Sequence, residues 1–308
     1  MVVVLVALAA VGLVGYGFFS DWRADQQRPG STALRVGDTE YTVKYYTERL
    51  RTLVEEAGVG TQQGQPAEAL PRLTDQLIIE AIVLRFADDL GQTATEEEVN
   101  SAIATILQLP TVDDPNFQTA FQTELANSGL TEEQYREMVR VTVLQIKVSD
   151  QFQAGLPAIA ESVHYRHIIV DAQTVADDLR AQIEGGADFA QLAKEKSLDT
   201  EAMTDGGDKG WAPKGVFPAE CEETVFALEV GKLATCPLRS TLFVVYQVTE
   251  KQLDRPIDEV NRPALTEKAV LNWLVGKQAT LEIVNNMEPV TLDNDKVRYA
   301  IEHAYPVS

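Results

Sequence analysis

The chain has 308 residues, 45% hydrophobic and 24% charged, which is room and composition for two globular domains of ordinary size. Its 47 acidic side chains outnumber 26 basic ones, and the formal charge of −21 repels nucleic-acid phosphates and anionic lipid surfaces, so nucleic-acid binding is excluded. The acidity reads first as a solubilising surface, and second as a preference for basic partners.

Residues 1–20 contain no charged side chain. At about 1.5 Å per residue, MVVVLVALAAVGLVGYGFF covers roughly 30 Å, the hydrocarbon thickness of a bilayer, and Trp22 follows at the interface. A single transmembrane anchor is therefore expected over 1–20. A cleaved signal peptide is the alternative, weakened by bulky Phe18 and Phe19 where small residues would favour cleavage. Residues 21–32 are polar, contain Pro29-Gly30, and read as a linker.

A helical domain is expected over 33–155. It opens with a hairpin, LRV and YTV flanking the turn pair Gly37-Asp38. A helix over 44–57 and a loop over 58–66 follow. Leu70, Leu73, Leu77, Ala81 and Leu84 then keep helical spacing up to Gly91, with Pro71 early enough to be tolerated. Two capping boxes open further helices: Thr95 with Glu98, and Thr131 with Gln134. Between them Phe117, Phe121 and Leu125 mark another helix, stopped near Gly129. Gly155 and Pro157 break the pattern.

Residues 163–250 read as strand, helix, helix, glycine-rich loop, short helix, strand. VHYRHIIV at 163–170 and LFVVYQV at 242–248 are the strands. Val175, Leu179 and Ile183 recur every fourth residue before Gly185-Gly186, and Asp188 caps the next short helix. Beyond a break at 254–256, residues 257–287 are again helical, with Val260, Leu265, Val270 and Leu274 on compatible faces. Residues 289–308 read as a peripheral strand or a loose tail.

HIIV at 167–170, GGADFAQLAKEKS at 185–197, GGDKGW at 206–211, FALEVGK at 226–232 and PLRS at 237–240 resemble, in that order, the parvulin (rotamase, PpiC-like) peptidyl-prolyl isomerase domain. DQLIIEAIVLRFADDLGQTATEEEVNSAI at 75–103 is similar to the N-terminal domain of SurA-, PrsA- and PpiD-type foldases. The resemblance implies an α+β chain: a helical SurA-like chaperone domain, an inserted parvulin domain with an antiparallel sheet flanked by helices, and a C-terminal helix over 255–288 that completes the chaperone domain. It also implies a location outside the cytoplasm, no cofactor, and unfolded or newly exported polypeptides with X-Pro bonds as partners.

Prolyl isomerisation needs neither nucleophile nor metal. Amide resonance sets a barrier of about 18–20 kcal/mol, and the enzyme must favour the twisted amide over the planar one. An apolar slot for the proline ring and polar groups for the rotating carbonyl are the plausible means. By the resemblance, His167, Asp199 and Ser240 are the catalytic positions, and Phe217, Cys221, Val244, Lys209 and Trp211 the substrate-binding ones, Phe217 as an apolar slot residue. Three positions depart from the family pattern. The second histidine falls on Val244, the slot aromatic on Cys221, and the leucine of GGDLGW on Lys209. Lys209 is expected to point to solvent and Trp211, also near the site, to pack in the core. His164 lies an odd number of residues from His167 and so on the opposite face of the strand. The plainer readings are a strand histidine satisfied within the core for His167, and a turn acid for Asp199.

Cys221 and Cys236 form an even count in a domain expected outside the cytoplasm. A disulfide between them would add about 3 kcal/mol; two buried thiols are the alternative. Three histidines and two cysteines show no zinc-ligand spacing, and no GxSxG, P-loop or dinucleotide fingerprint occurs. The readings that remain are an isomerase with chaperone activity toward exported proteins, a chaperone whose parvulin domain binds without catalysing, and an accessory subunit of a membrane complex.

Overall fold

The computed structural model describes residues 26–57, 66–239, 241–288 and 294–304. The expected anchor over 1–20 and Ser240 lie outside the described residues. Among the described residues no helix is long and apolar enough to cross a membrane. The chain divides into two compact units, residues 1–148 with 273–308, and residues 149–272.

The first unit opens with the antiparallel hairpin β1 (Thr32–Val36) and β2 (Thr39–Thr42). Gly37 turns it at φ +57, a conformation that costs glycine no Cβ clash. Helices α1 (Val43–Ala57), α2 (Pro66–Phe86), α3 (Glu96–Ile106), α4 (Phe117–Ser128) and α5 (Glu132–Ala154) follow. Both capping boxes form. The Thr95 hydroxyl accepts from the Glu98 N–H at 3.2 Å while the Glu98 carboxylate accepts from the Thr95 N–H at 2.8 Å. Thr131 and Gln134 make the same reciprocal pair at 3.2 and 3.0 Å. Leu34, Tyr46, Leu50, Leu70, Leu73 and Leu77 bury the first helices against the sheet, and Val99, Ile103, Phe121, Tyr135 and Val139 join α3, α4 and α5 in a second core.

The second unit is a four-stranded antiparallel sheet with helices on both faces. Its elements are β3 (Ile159–Val170), α6 (Gln173–Glu184), α7 (Phe189–Lys196), α8 (Ala202–Asp205), β4 (Asp208–Pro213), α9 (Ala219–Ala227), β5 (Leu233–Arg239), β6 (Leu242–Pro256) and α10 (Arg262–Gln278) as far as residue 272. The strand order is β4-β3-β6-β5. Alternation along the strands divides the side chains between two cores. Ile168, Val170 and Val245 pack under α6 and α7 with Leu179, Phe189 and Ala193. Val163, Val244, Tyr246 and Val248 pack on the other face against Cys221, Val225 and Phe226 of α9. On α6 the inward stripe begins at Ala176; Val175, expected on it, is exposed. Asp188 caps α7 by accepting from the Gln191 N–H at 2.7 Å.

The C-terminal segment departs from its sequence reading. β6 runs on through the expected break to Pro256, so the helix begins only at Arg262, and Val260 stands exposed in a 3-10 turn before it. The chain then enters the first unit as β7 (Ile283–Asn285), antiparallel to β1, giving the sheet order β2-β1-β7. The stretch read as a strand or loose tail contains helix α11 (Asp295–Ala304), whose Val297, Ala300 and Ala304 are buried in the core with α1.

Candidate functional site

His167 is placed by its backbone. Its N–H donates to the Gly207 carbonyl at 2.8 Å. Gly207 runs at φ +81, and a Cβ there would lie 2.5 Å from the His167 carbonyl oxygen, so only glycine permits the approach. The glycine pair of GGDKGW thus presses its loop onto β3 at the histidine.

Asp199 reaches the same place from the turn after α7. Ser197 Oγ accepts from the N–H groups of Ile169, at 3.1 Å, and Asp199, at 3.2 Å, which ties the turn to β3. His167 Nε2 lies 2.7 Å from Asp199 Oδ2, and Asp199 Oδ1 accepts from the Glu201 N–H at 3.1 Å. Lys209 corrects its sequence reading. Its side chain is only 13% exposed, because the ammonium folds back into three carboxylates that converge on it: Asp199 Oδ2 at 2.8 Å, Glu201 Oε2 at 2.8 Å and Asp205 Oδ2 at 3.2 Å.

These contacts decide the charges. Burial works to raise the Asp199 carboxyl, but hydrogen bonds from Lys209, His167 and the Glu201 backbone overcome it and hold it at about 2. Burial works against the Lys209 charge too, and its three carboxylates outweigh that and raise its pKa. Burial lowers the His167 imidazole, and Lys209 adds to the effect, against the pull of Asp199. The histidine is therefore neutral at physiological pH. An ionised Asp199 only accepts, so the neutral ring carries its proton on Nε2.

Beside this pair stands a cluster of rings that the sequence reading largely missed. Tyr165 meets Phe217 edge-on at 4.8 Å between centroids, and Tyr246 meets it at 5.5 Å. His167 lies 6.0 Å from Tyr165 and 6.4 Å from Tyr246. Phe217, the expected slot residue, is in the centre and 4% exposed. Tyr246, not Val244, stands across from His167 in the strand register; Val244 pairs with Ile169 and Cys236 and is buried behind the rings. The usable signal for Tyr165 was its spacing of two from His167 on one strand face.

Trp211 pairs with His164, their rings edge-on at 5.5 Å, and Arg255 covers the indole at 4.7 Å. His164 contacts Thr249 and Asp208, and so does not replace the second histidine. Cys221 and Cys236 are free buried thiols, so the expected bridge is not formed. They pack as small apolar groups in the core behind Phe217, where burial, with Cys236 adding, pushes the Cys221 thiol up to about 12. Ser240 lies outside the described residues. Among the described residues no group of three or more His, Cys, Asp or Glu is arranged to hold a metal ion, and Lys209 fills the one place near the site where three carboxylates meet.

Residues 130–252 match the model of the PPIC-type PPIASE domain, and residues 1–149 that of the SurA-like N-terminal domain. The chain is an α+β protein that carries a SurA-like N-terminal domain followed by a PPIC-type PPIASE domain. Foldase protein PrsA of Caldanaerobacter subterraneus subsp. tengcongensis is 29% identical over 196 residues, covering 60% of this chain and 58% of the relative. Chaperone SurA of Pseudomonas syringae pv. syringae is 26% identical over 258 residues, covering 73% and 59%. The chain thus spans about three fifths of the length of these curated relatives. Among solved structures, a PrsA peptidylprolyl isomerase from Bacillus anthracis is 19% identical with a TM-score of 0.45, over 67% of this chain and 93% of that one.

Proposed function

We propose that the protein is a foldase acting outside the cytoplasm, a parvulin-class peptidyl-prolyl isomerase that also holds unfolded exported chains. The observation that carries the reading is the 2.7 Å His167–Asp199 hydrogen bond set beside the Tyr165, Phe217 and Tyr246 rings. A planar amide owes its barrier and much of its dipole to resonance, which twisting removes. An apolar surrounding therefore destabilises the planar form relative to the twisted one, the differential that catalysis requires. A neutral imidazole with a fixed proton puts a polar group beside the rotating bond without adding a net charge. No step calls for a cofactor.

The expected clients are unfolded or newly exported polypeptides with X-Pro bonds. Net charge of −21 favours basic ones. Membrane attachment is part of the proposal and rests on the uncharged run over 1–20 with Trp22 after it. A protein that stays with membranes through alkaline carbonate washing meets that expectation; one released by the wash does not.

One observation favours a second reading, a parvulin domain that binds without catalysing. Phe217 is almost fully covered by the protein's own rings, which leaves a proline little of its face. NMR exchange on a short X-Pro peptide with the full chain, beside His167→Ala, separates the two. Exchange above the uncatalysed rate that falls in the variant is the expected result. Background exchange in both, with aggregation of an unfolded client still suppressed, selects the second reading.

A further inference from the structure

We propose that Lys209 is a positioning residue of this site, which acts through Asp199 to fix the orientation, proton and charge of His167. The catalytic consequence rests on the isomerase reading above; the effect on His167 does not. GGDKGW resembles a pattern with leucine at this place, so the chemistry of a lysine here is a property of this chain.

One oxygen, Asp199 Oδ2, accepts from both Lys209 Nζ at 2.8 Å and His167 Nε2 at 2.7 Å. The other oxygen accepts from the Glu201 N–H. A carboxylate held by three donors can neither rotate away nor take a proton from the imidazole. Lys209 in turn is fixed by Glu201 and Asp205, so it does not drift with its flexible stem. The charges facing His167 are Asp199, Asp205 and Lys209, with Glu201 beyond the lysine; the uncharged phenols of Tyr165 and Tyr246 complete the surround. Lys209 is the one cation of that set. Without it the carboxylates would draw a proton onto His167 and make the site an imidazolium–carboxylate pair. With it, an acceptor of full negative charge holds a neutral ring in one tautomer. That is a polar but uncharged contact, the kind that suits a rotating amide.

The test is imidazole NMR of the full chain across pH, His167 being identified by the signals lost in His167→Ala. With three histidines in the sequence the assignment is direct. The parent ring is expected to titrate below the ordinary histidine value of about 6.5 and to be the Nε2–H form at neutral pH. Lys209→Met should raise the titration midpoint by about one pH unit or more. Lys209→Arg should restore it, and the acid limb of the kcat/KM profile should move with it. Lys209→Gln, which keeps a donor without the charge, serves if the methionine variant does not fold, and predicts the same rise. A His167 midpoint unmoved in a folded Lys209→Met or Lys209→Gln chain overturns the proposal. A parent that fails to isomerise while His167 responds to Lys209 removes the isomerase reading and leaves the positioning role standing.

Discussion

At Asp199, burial and hydrogen bonding oppose one another and the hydrogen bonds win. The folded carboxyl is held at about 2, against an ordinary value of 3.8. A depressed carboxylate contributes stability that is complete above the unfolded value and is lost as pH falls through the folded one. The shift corresponds to at most about 2 kcal/mol, less what solvent screening removes. The expected outcome is a gap in urea midpoint between the parent and Asp199→Asn that shrinks as pH falls from about 4 toward 2. A gap constant down to pH 2 would mean that Asp199 titrates like a solvated acid. His167, Asp199 and Phe217 were legible because they sit in motif positions whose order along the chain is specific. Lys209 was not: a lysine in a glycine-rich loop reads as solvent-facing until Asp199, Glu201 and Asp205 are known to converge on it. Tyr246 was hidden for another reason. Its pairing with His167 follows a shift in the β3–β6 register: His164 pairs with Glu250 but Tyr165 with Val248, so Thr249 of β6 is the extra residue. A period-two pattern shows which face a residue takes, but not a one-residue slip in its partner.

Among the elements, the glycine-rich loop carries the most constraint on the site. A Cβ on Gly207 would lie 2.5 Å from the His167 carbonyl oxygen and 3.2 Å from Ala193 Cβ, at φ +81. Gly210 is a natural control, at φ +71 with no atom within 4 Å of a Cβ. Gly210→Ala should therefore cost only backbone strain, about 1 kcal/mol. Gly207→Ala should cost on the order of 3 kcal/mol, because β3 or α7 must also move. Urea unfolding of the two variants checks this, and equal costs would show that the loop does not press on β3. The same elements mark what local sequence signals can do. Reciprocal caps at Thr95 and Thr131 and the glycine stop after α6 were legible because each satisfies backbone groups within a few residues. Helix α11 carries Val297, Ala300, Ile301 and Ala304 at helical spacing on one face, a clear amphipathic pattern that the reading of a strand or loose tail overlooked, and docking on α1 makes that face core.

On the scale of the whole molecule, the first unit closes only when the end of the chain arrives. Ile283, Val284 and Asn285 pair with Val36, Arg35 and Leu34, and Lys296 reaches the Thr32 carbonyl at 2.7 Å across 264 positions of sequence. Contacts that remote must meet the entropy of closing a very long loop. Their loss is also costly. Met287 is 1% exposed and Val297 and Ala300 are buried beside it in the same core. Burying a side chain such as Met or Val is worth about 1.5–3 kcal/mol, so removing β7 and α11 takes away several kcal/mol, while whole domains are stable by only about 5–15 kcal/mol. It also bares the edge of β1, which then offers unpaired backbone groups to other chains. A chain ended after Gln278 is therefore expected to lose amide hydrogen-exchange protection throughout β1 and α1. Amides of β3 and β6 should keep theirs, because every strand partner of that sheet lies within residues 159–256. Uniform loss across both units would mean that the molecule unfolds as one cooperative body. Retained protection in β1 and α1 would mean that the hairpin and first helices hold without the C-terminal strand and helix. The selective loss is the outcome the packing requires, since α1 has α11 on its buried side and β1 has β7 as its second partner.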